Sequence, residues 1–226
     1  MKIYFDGCSH TWGAGLETPE LSRYSKIVSD HFGAEEYNIA QRGGSDKRVL
    51  RNLLETDLEE YDCIVVQLTC MNRTEFFDDD HKEWVQINLE GFKKGYQLPS
   101  PRLSNATLSE SKNRFWNSYW RDIYTEDLGR INQMTIGHAI KNLLKDKKHL
   151  LIGISGRGGG SIVSGPVDLN FANFESANTI QFQSGRTKHP SQEGHKQIAN
   201  EIIKGLTDTT LSYEVDQYGN IIIPSM

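Results

Sequence analysis

The chain has little of what would staple it, carry it through a membrane or attach it to a polyanion. It holds three cysteines in 226 residues, Cys8, Cys63 and Cys70. This odd set lacks zinc-ligand spacing and reads as reduced thiols packing as small hydrophobes in a cytosol-like compartment. Six prolines and 20 glycines lie near average usage, which excludes collagen-like and low-complexity chains. No run approaches the ~18 consecutive apolar residues of a membrane span, and no charged leader precedes a hydrophobic stretch. The expectation is a soluble, cytoplasmic protein with no membrane partner. Lys and Arg number 25 against 30 Asp and Glu, so no cationic excess is present to neutralise phosphates, and nucleic acid is an unlikely partner on charge grounds. The net charge of −5 argues against a polyanionic substrate and leaves neutral glycans and small esters open.

Apolar residues are also scarce, at 37%, but the shortage is local. Ile3 to Phe5, Cys63 to Leu68 and Leu150 to Ile154 are intensely apolar, while residues 70–110 and 155–190 are polar. Near-continuous β-branched runs mark strands covered on both faces, as in a parallel sheet. Between them, Pro19 to His31 reads as a helix with Thr18 as N-cap and Leu21, Tyr24, Ile27, Val28 and Phe32 at helical spacing. A short strand follows at Glu36 to Ile39. Asp46 to about Glu59 is a second helix, with Val49, Leu50, Leu53, Leu54 and Leu58 on its apolar face.

Residues 70–110 lack sustained periodicity and read as a long polar excursion from the sheet. Ser111 to Lys147 is a long helical segment with a break expected near Gly129. A short strand is expected at Thr179 to Phe182 and a helix from Ser191, its N-cap, to Leu206. The whole implies one three-layer α/β/α domain over residues 1–210, doubly wound and flavodoxin-like around a mainly parallel sheet. Residues 211–226 form a C-terminal hairpin or tail.

Three loops at the carboxyl ends of predicted strands hold most of the unusual residues. In Asp6-Gly7-Cys8-Ser9-His10-Thr11-Trp12-Gly13, glycines flank a serine just after a strand, a setting that suits an exposed nucleophile or a helix-capping serine. Asn38-Ile39-Ala40-Gln41-Arg42-Gly43-Gly44-Ser45 offers backbone N–H groups at a helix start, suited to an anion or a developing oxyanion, or is simply a tight turn. Lys188-His189-Pro190-Ser191 enters the last helix, where a histidine can serve as general base.

Together these segments resemble the SGNH hydrolases, the GDSL-type esterase and lipase superfamily. Gly7 to Gly13 is similar to the family's first block, with Cys8 in place of its Asp; Asn38 to Gly43 is similar to the second; His189 to Ala199 is similar to the last. The resemblance implies Ser9 as nucleophile, His189 as general base, and the N–H groups of Ser9 and Gly43 as the core of an oxyanion hole, with no metal or organic cofactor. The family's Gly-x-Asn-Asp is replaced by Leu68-Thr69-Cys70-Met71-Asn72-Arg73, which makes Asn72 the third donor by a one-residue slip. Arg73 is a further candidate, able to hold an oxyanion or a substrate acid, and His10 adjoins the nucleophile as a substrate contact. The family's acid, three residues before the histidine, is here Arg186. The site is therefore a Ser–His dyad or a degenerate binding site.

Other features carry less. Asp78-Asp79-Asp80-His81 reads as a solvated acidic loop rather than a metal site. Gly156 to Ser161 lacks the endings of a phosphate loop and reads as a lid or turn, with Arg157 as an anion contact. Were it to hold phosphate, the chain would be a nucleotide-binding domain. The cluster Phe115, Trp116, Tyr119 and Trp120 reads as a buried helical stripe or a sugar-stacking surface. The leading expectation is a serine hydrolase cleaving a carboxylic ester, such as an O-acyl group on a carbohydrate or another polar substrate. The alternative is a binding or assembly protein of the same fold that recognises a glycan or acyl group.

Overall fold

The computed structural model describes residues 1–89, 108–156, 166–174, 179–181, 188–207, 214–215 and 221–222. The first part of the chain gives strand β1 (Lys2–Asp6), helix α1 (Ser9–Trp12), α2 (Pro19–Ser22), α3 (Tyr24–His31), β2 (Glu35–Asn38), α4 (Asp46–Glu55) and β3 (Cys63–Leu68). Then come β4 (Arg73–Asp78), β5 (Glu83–Asn88), α5 (Glu110–Ser118), a π-helical turn over Tyr119–Ile123 and α6 (Glu126–Leu144). The remainder gives β6 (His149–Gly156), β7 (Leu169–Phe174), β8 (Thr179–Gln181), β9 (Lys188–Pro190), α7 (Gln192–Thr207), β10 (Glu214–Val215) and β11 (Ile221–Ile222).

Five strands form one sheet in the order β2-β1-β3-β6-β7, and every pairing in it is parallel. This is the flavodoxin-like order, and the sheet is doubly wound. Because side chains alternate along each strand, the apolar runs divide between two cores. Ile3, Phe5, Cys63, Val65, Leu150 and Ile152 pack with Tyr24 and Val28 of α3 and Ile198, Ala199 and Ile202 of α7. On the opposite face, Tyr4, Ile64, Val66 and Leu151 pack with Val49 and Leu53 of α4 and Ile140 and Leu144 of α6. The short β1 therefore lies inside the sheet, and the loop after it opens at the sheet's carboxyl edge.

Several local expectations are corrected. The helix expected over Pro19 to His31 is two helices, because Arg23 is extended (φ −69°, ψ 153°) and its guanidinium grips Glu36 at 2.8 Å; Leu21 is left exposed. Thr18 makes no side-chain cap. Helix α4 stops at Glu55, a 3₁₀ turn covers Leu58–Glu60, and Leu54 faces solvent. The polar excursion contains an antiparallel hairpin, β4 with β5, followed by residues 90–107 outside the described set. Its turn holds Asp78, which is buried rather than solvated and accepts hydrogen bonds from Lys112 and, at 3.1 Å, from His81. Asp79 and Asp80 are exposed, and no cluster of metal-binding side chains occurs among the described residues.

The long helix breaks at Tyr124, before Thr125, which caps α6 by accepting from the Leu128 N–H at 3.1 Å. Gly129 lies inside α6 instead, where an added Cβ would sit 2.2 Å from the Tyr124 hydroxyl. The glycine makes room for that ring. Trp116, Tyr119, Trp120 and Tyr124 pack against Val85, Ile87, Leu89 and Leu108, which supports the buried-stripe reading, although Phe115 is exposed. The Ser191 hydroxyl caps α7 by accepting from the Gly194 N–H at 3.1 Å. Strands β10 and β11 pair antiparallel. No helix among the described residues is long and apolar enough to cross a membrane.

Candidate active site

Strand β1 ends at Asp6, and the chain must turn at once into α1. Gly7 (φ +155°) permits this, since a Cβ there would stand 2.4 Å from the Thr11 hydroxyl and 2.7 Å from the Gln67 Cβ. The turn is then fixed from beneath by Gln67, whose Oε1 accepts from the Thr11 hydroxyl at 2.7 Å and the Cys8 N–H at 3.3 Å. Its Nε2 donates to the Cys8 Sγ at 3.3 Å. Cys8 is buried, as is Cys63, and Cys70 is half-buried; none of the three is in a disulfide. Ser9 opens α1, with its hydroxyl 2.8 Å from the His189 Nε2.

Chain topology alone would leave these two residues far apart. Their meeting depends on β9, which pairs antiparallel with β8 and places His189 opposite Ile180, and on α7, which packs beside α3. His195 pins that helix: its Nδ1 accepts the Tyr24 N–H at 3.2 Å, and its ring stacks on the Tyr24 ring at 5.8 Å. It is a buried structural histidine. Burial, followed by the neighbouring His189, pushes its pKa down to about 4. His189 is likewise pushed down to about 4, by burial first and then by the cations Arg73 and Arg42. Both imidazoles are therefore neutral near pH 7. For Nε2 to accept the Ser9 proton, Nδ1 of His189 must carry the ring hydrogen.

The second loop packs directly on the first. The Gln41 N–H donates to the Gly7 carbonyl at 3.3 Å, and a Cβ on Gly44 would lie 2.9 Å from that same oxygen. Gly43 itself is left-handed (φ 75°), a conformation that favours glycine. Asn38 ties β2 to the Ser9 segment and to α3 by donating to the Thr11 carbonyl at 3.1 Å and the Ser25 hydroxyl at 2.7 Å. Below both loops, Asp6 is fully buried and accepts from Arg48 at 2.7 Å, Asn52 at 2.8 Å and the Gly7 N–H at 2.7 Å. Arg48 also donates to the Ile39 carbonyl. One ion pair thus holds the Ser9 loop and the glycine loop together.

The remaining candidates separate. The ring of His10 lies edge-on to that of His189, 5.0 Å between centroids, beside the dyad. Arg73 lies near Cys8, the residue before the serine, and near the buried Asp46, both of which support its charge against burial. Asn72 is buried, with its carbonyl accepting from the Leu89 N–H at 2.9 Å, and no described hydrogen bond joins its amide to Ser9. Arg157 and Arg186 lie outside the described residues. Sequence reasoning missed Gln67, Arg48, Asn38 and Arg42, the last stacked over Trp12 at 4.4 Å. Gln67 did leave a signal, as the one amide in the otherwise apolar run Cys63 to Leu68.

No family model and no curated protein matches the chain. Among solved structures, it is similar to a psychrotrophic esterase from Pseudoalteromonas sp. (TM-score 0.47, 12% identity, 91% of this chain and 96% of that one). It is also similar to a protein described as lipolytic, of the G-D-S-L family, from Desulfitobacterium hafniense (0.46, 11%, 90% and 98%). A third likeness is to an acetylxylan esterase from Geobacillus stearothermophilus, solved as a catalytic mutant (0.40, 13%, 92% and 94%). At these scores and identities the likenesses carry no weight for activity, which has to be read from the site itself.

Proposed function

We propose that the protein is a serine hydrolase acting on a carboxylic ester, such as an O-acyl group on a carbohydrate or another polar substrate. The observation that carries this reading is the 2.8 Å contact between the Ser9 hydroxyl and the His189 Nε2. It is within hydrogen-bond reach of a nucleophile and its base. Ser9 attacks the ester carbonyl while His189 takes its proton. The N–H groups of Ser9 and Gly43, with Asn72 as third donor, hold the oxyanion. Collapse breaks the acyl C–O bond, and His189 returns the proton to the departing alcohol. Water, activated by the same histidine, then releases the acid and regenerates Ser9. None of these steps calls for a metal or an organic cofactor.

A second reading, a binding protein built on the same site, is favoured by two observations. Arg186 occupies the position of the family's acid, and burial together with Arg73 and Arg42 disfavours the imidazolium that proton transfer would create. A fluorophosphonate probe separates the two, since it modifies only an activated serine. Under the hydrolase reading, mass spectrometry finds the adduct on Ser9, and labelling falls by roughly 10³-fold or more in Ser9→Ala and His189→Ala. Absence of labelling on folded protein, under conditions that label a known serine esterase, would leave the binding protein.

A further inference from the structure

A cavity of about 150 Å³ has a lining that includes Arg73, Leu89, Trp116, Tyr119, Tyr124 and Ile136. A cavity of about this size accommodates a benzene ring. Its walls are largely aromatic and aliphatic, with Lys47, Thr74, Asn132 and Gln133 also in the lining, and the Tyr124 hydroxyl donates to the Met71 carbonyl at 3.3 Å. At one side stands Arg73, whose charge feels the Asp46 carboxylate but whose donors are not all used. The Nε and Nη1 of Arg73 are buried without a hydrogen-bond partner among the described residues.

The other inward-facing arginines differ. Arg23 meets Glu36 at 2.8 Å, Arg48 meets Asp6 at 2.7 Å and Arg51 meets Glu75 at 2.9 Å. Asp46 also lines the cavity, but its oxygens are taken by the Thr69 N–H at 2.6 Å and the Gln133 amide at 3.0 Å. A guanidinium cannot shed its proton to escape burial, so its unmet donors favour an anion with two acceptor oxygens.

We propose that this cavity binds an aryl carboxylate, with the acid on Arg73 and the ring between Trp116, Tyr124 and the aliphatic wall. Because Arg73 lies near Cys8, next to Ser9, the cavity is the subsite for an aryl group of the ester substrate that carries its own free carboxylate. That assignment rests on the hydrolase reading, whereas occupancy by an aryl carboxylate does not.

The test uses Ser9→Ala protein and equilibrium binding, so that turnover plays no part. Benzoate, benzamide, acetate and inorganic phosphate are titrated by calorimetry, with tryptophan fluorescence as a second readout. Benzoate is expected to bind saturably and at least tenfold more tightly than each of the other three. Arg73→Gln is expected to remove that preference for benzoate over benzamide, whereas Arg73→Lys retains part of it. If Arg73→Gln does not fold, Ile136→Phe, which fills the cavity from the opposite wall, is expected to weaken benzoate tenfold or more.

Equal binding of benzoate and benzamide, tighter binding of acetate or phosphate, or no binding to folded protein would overturn the proposal. With Ser9 intact, benzoate is expected to slow fluorophosphonate labelling, and unchanged labelling at saturating benzoate would overturn the subsite assignment. Binding without any Ser9 labelling would remove the hydrolase reading and leave the aryl carboxylate site standing.

Discussion

Arg48 and Arg73 both lie near the loop that carries Ser9, and differ in how their donors are used. Arg48 spends its donors on the Asp6 carboxylate and the Ile39 carbonyl. Arg73 keeps two buried donors without a described partner. The first arrangement closes on itself and holds two loops in register. The second leaves donors open, although the buried Asp46 carboxylate acts on its charge. A buried ion pair is costly to break because removing one partner strands the other, whereas removing Arg73 strands no hydrogen-bonded acceptor and takes away only its electrostatic support of Asp46. The contrast separates scaffold from ligand contact without reference to any relative.

The sharpest way to break that comparison is to delete each cation. Arg48→Met should cost about 3–5 kcal/mol of unfolding free energy, because Asp6 is left buried and unpaired. Denaturant midpoints measure it, and a loss under ~1 kcal/mol would remove Arg48 from the scaffold. Adding Asp6→Asn to that variant should recover part of the loss, since the stranded charge is gone.

Acid comes next in size. His189 and His195 are held near 4 in the fold against an ordinary 6.5. As pH falls the unfolded chain takes up their protons first. Their contribution is therefore complete above about 6.5 and drains as pH falls toward 4, on the order of 3 kcal/mol for a single fully shifted group. Unfolding measured from pH 7 to 4 should show this slope, and His189→Gln should flatten it; an unchanged slope would mean His189 titrates normally. In the wild type, the acid limb of kcat/KM for an ester substrate should likewise lie near 4 rather than 6.5.

The smallest expected change in stability is from Arg73→Met, within about 1 kcal/mol of wild type or on the stabilising side. Its signature is the acid limb of kcat/KM, which should move upward because one cation opposing the His189 imidazolium is gone. A loss as large as that of Arg48→Met would show that both arginines are scaffold.

How much of this could be read from the chain alone follows from where each determinant resides. The strands from Ile3, Cys63 and Leu150 were legible because burial on both faces forces continuous apolar residues. Ser9 and His189 were legible because their loops carry local motifs. Arg48, Asn38 and Gln67 were not, since each acts on a partner brought near only by the parallel order of β2, β1 and β3. The β4–β5 hairpin was hidden because its turn is stabilised by Lys112, far along the chain. The break at Tyr124 depended on a ring lying against Gly129, which composition points to but does not place.

The bond from the Tyr24 N–H to the His195 Nδ1 couples acid to local opening. Nδ1 accepts only while unprotonated, so a proton arriving there converts an acceptor into a donor facing a donor. The joint between α3 and α7 would then part before the sheet does, drawing His189 away from Ser9 while β1, β3 and β6 stay paired. In amide exchange, Tyr24 would lose protection at a higher pH than Tyr4 or Val65, marking an acid-released unit within an otherwise closed sheet.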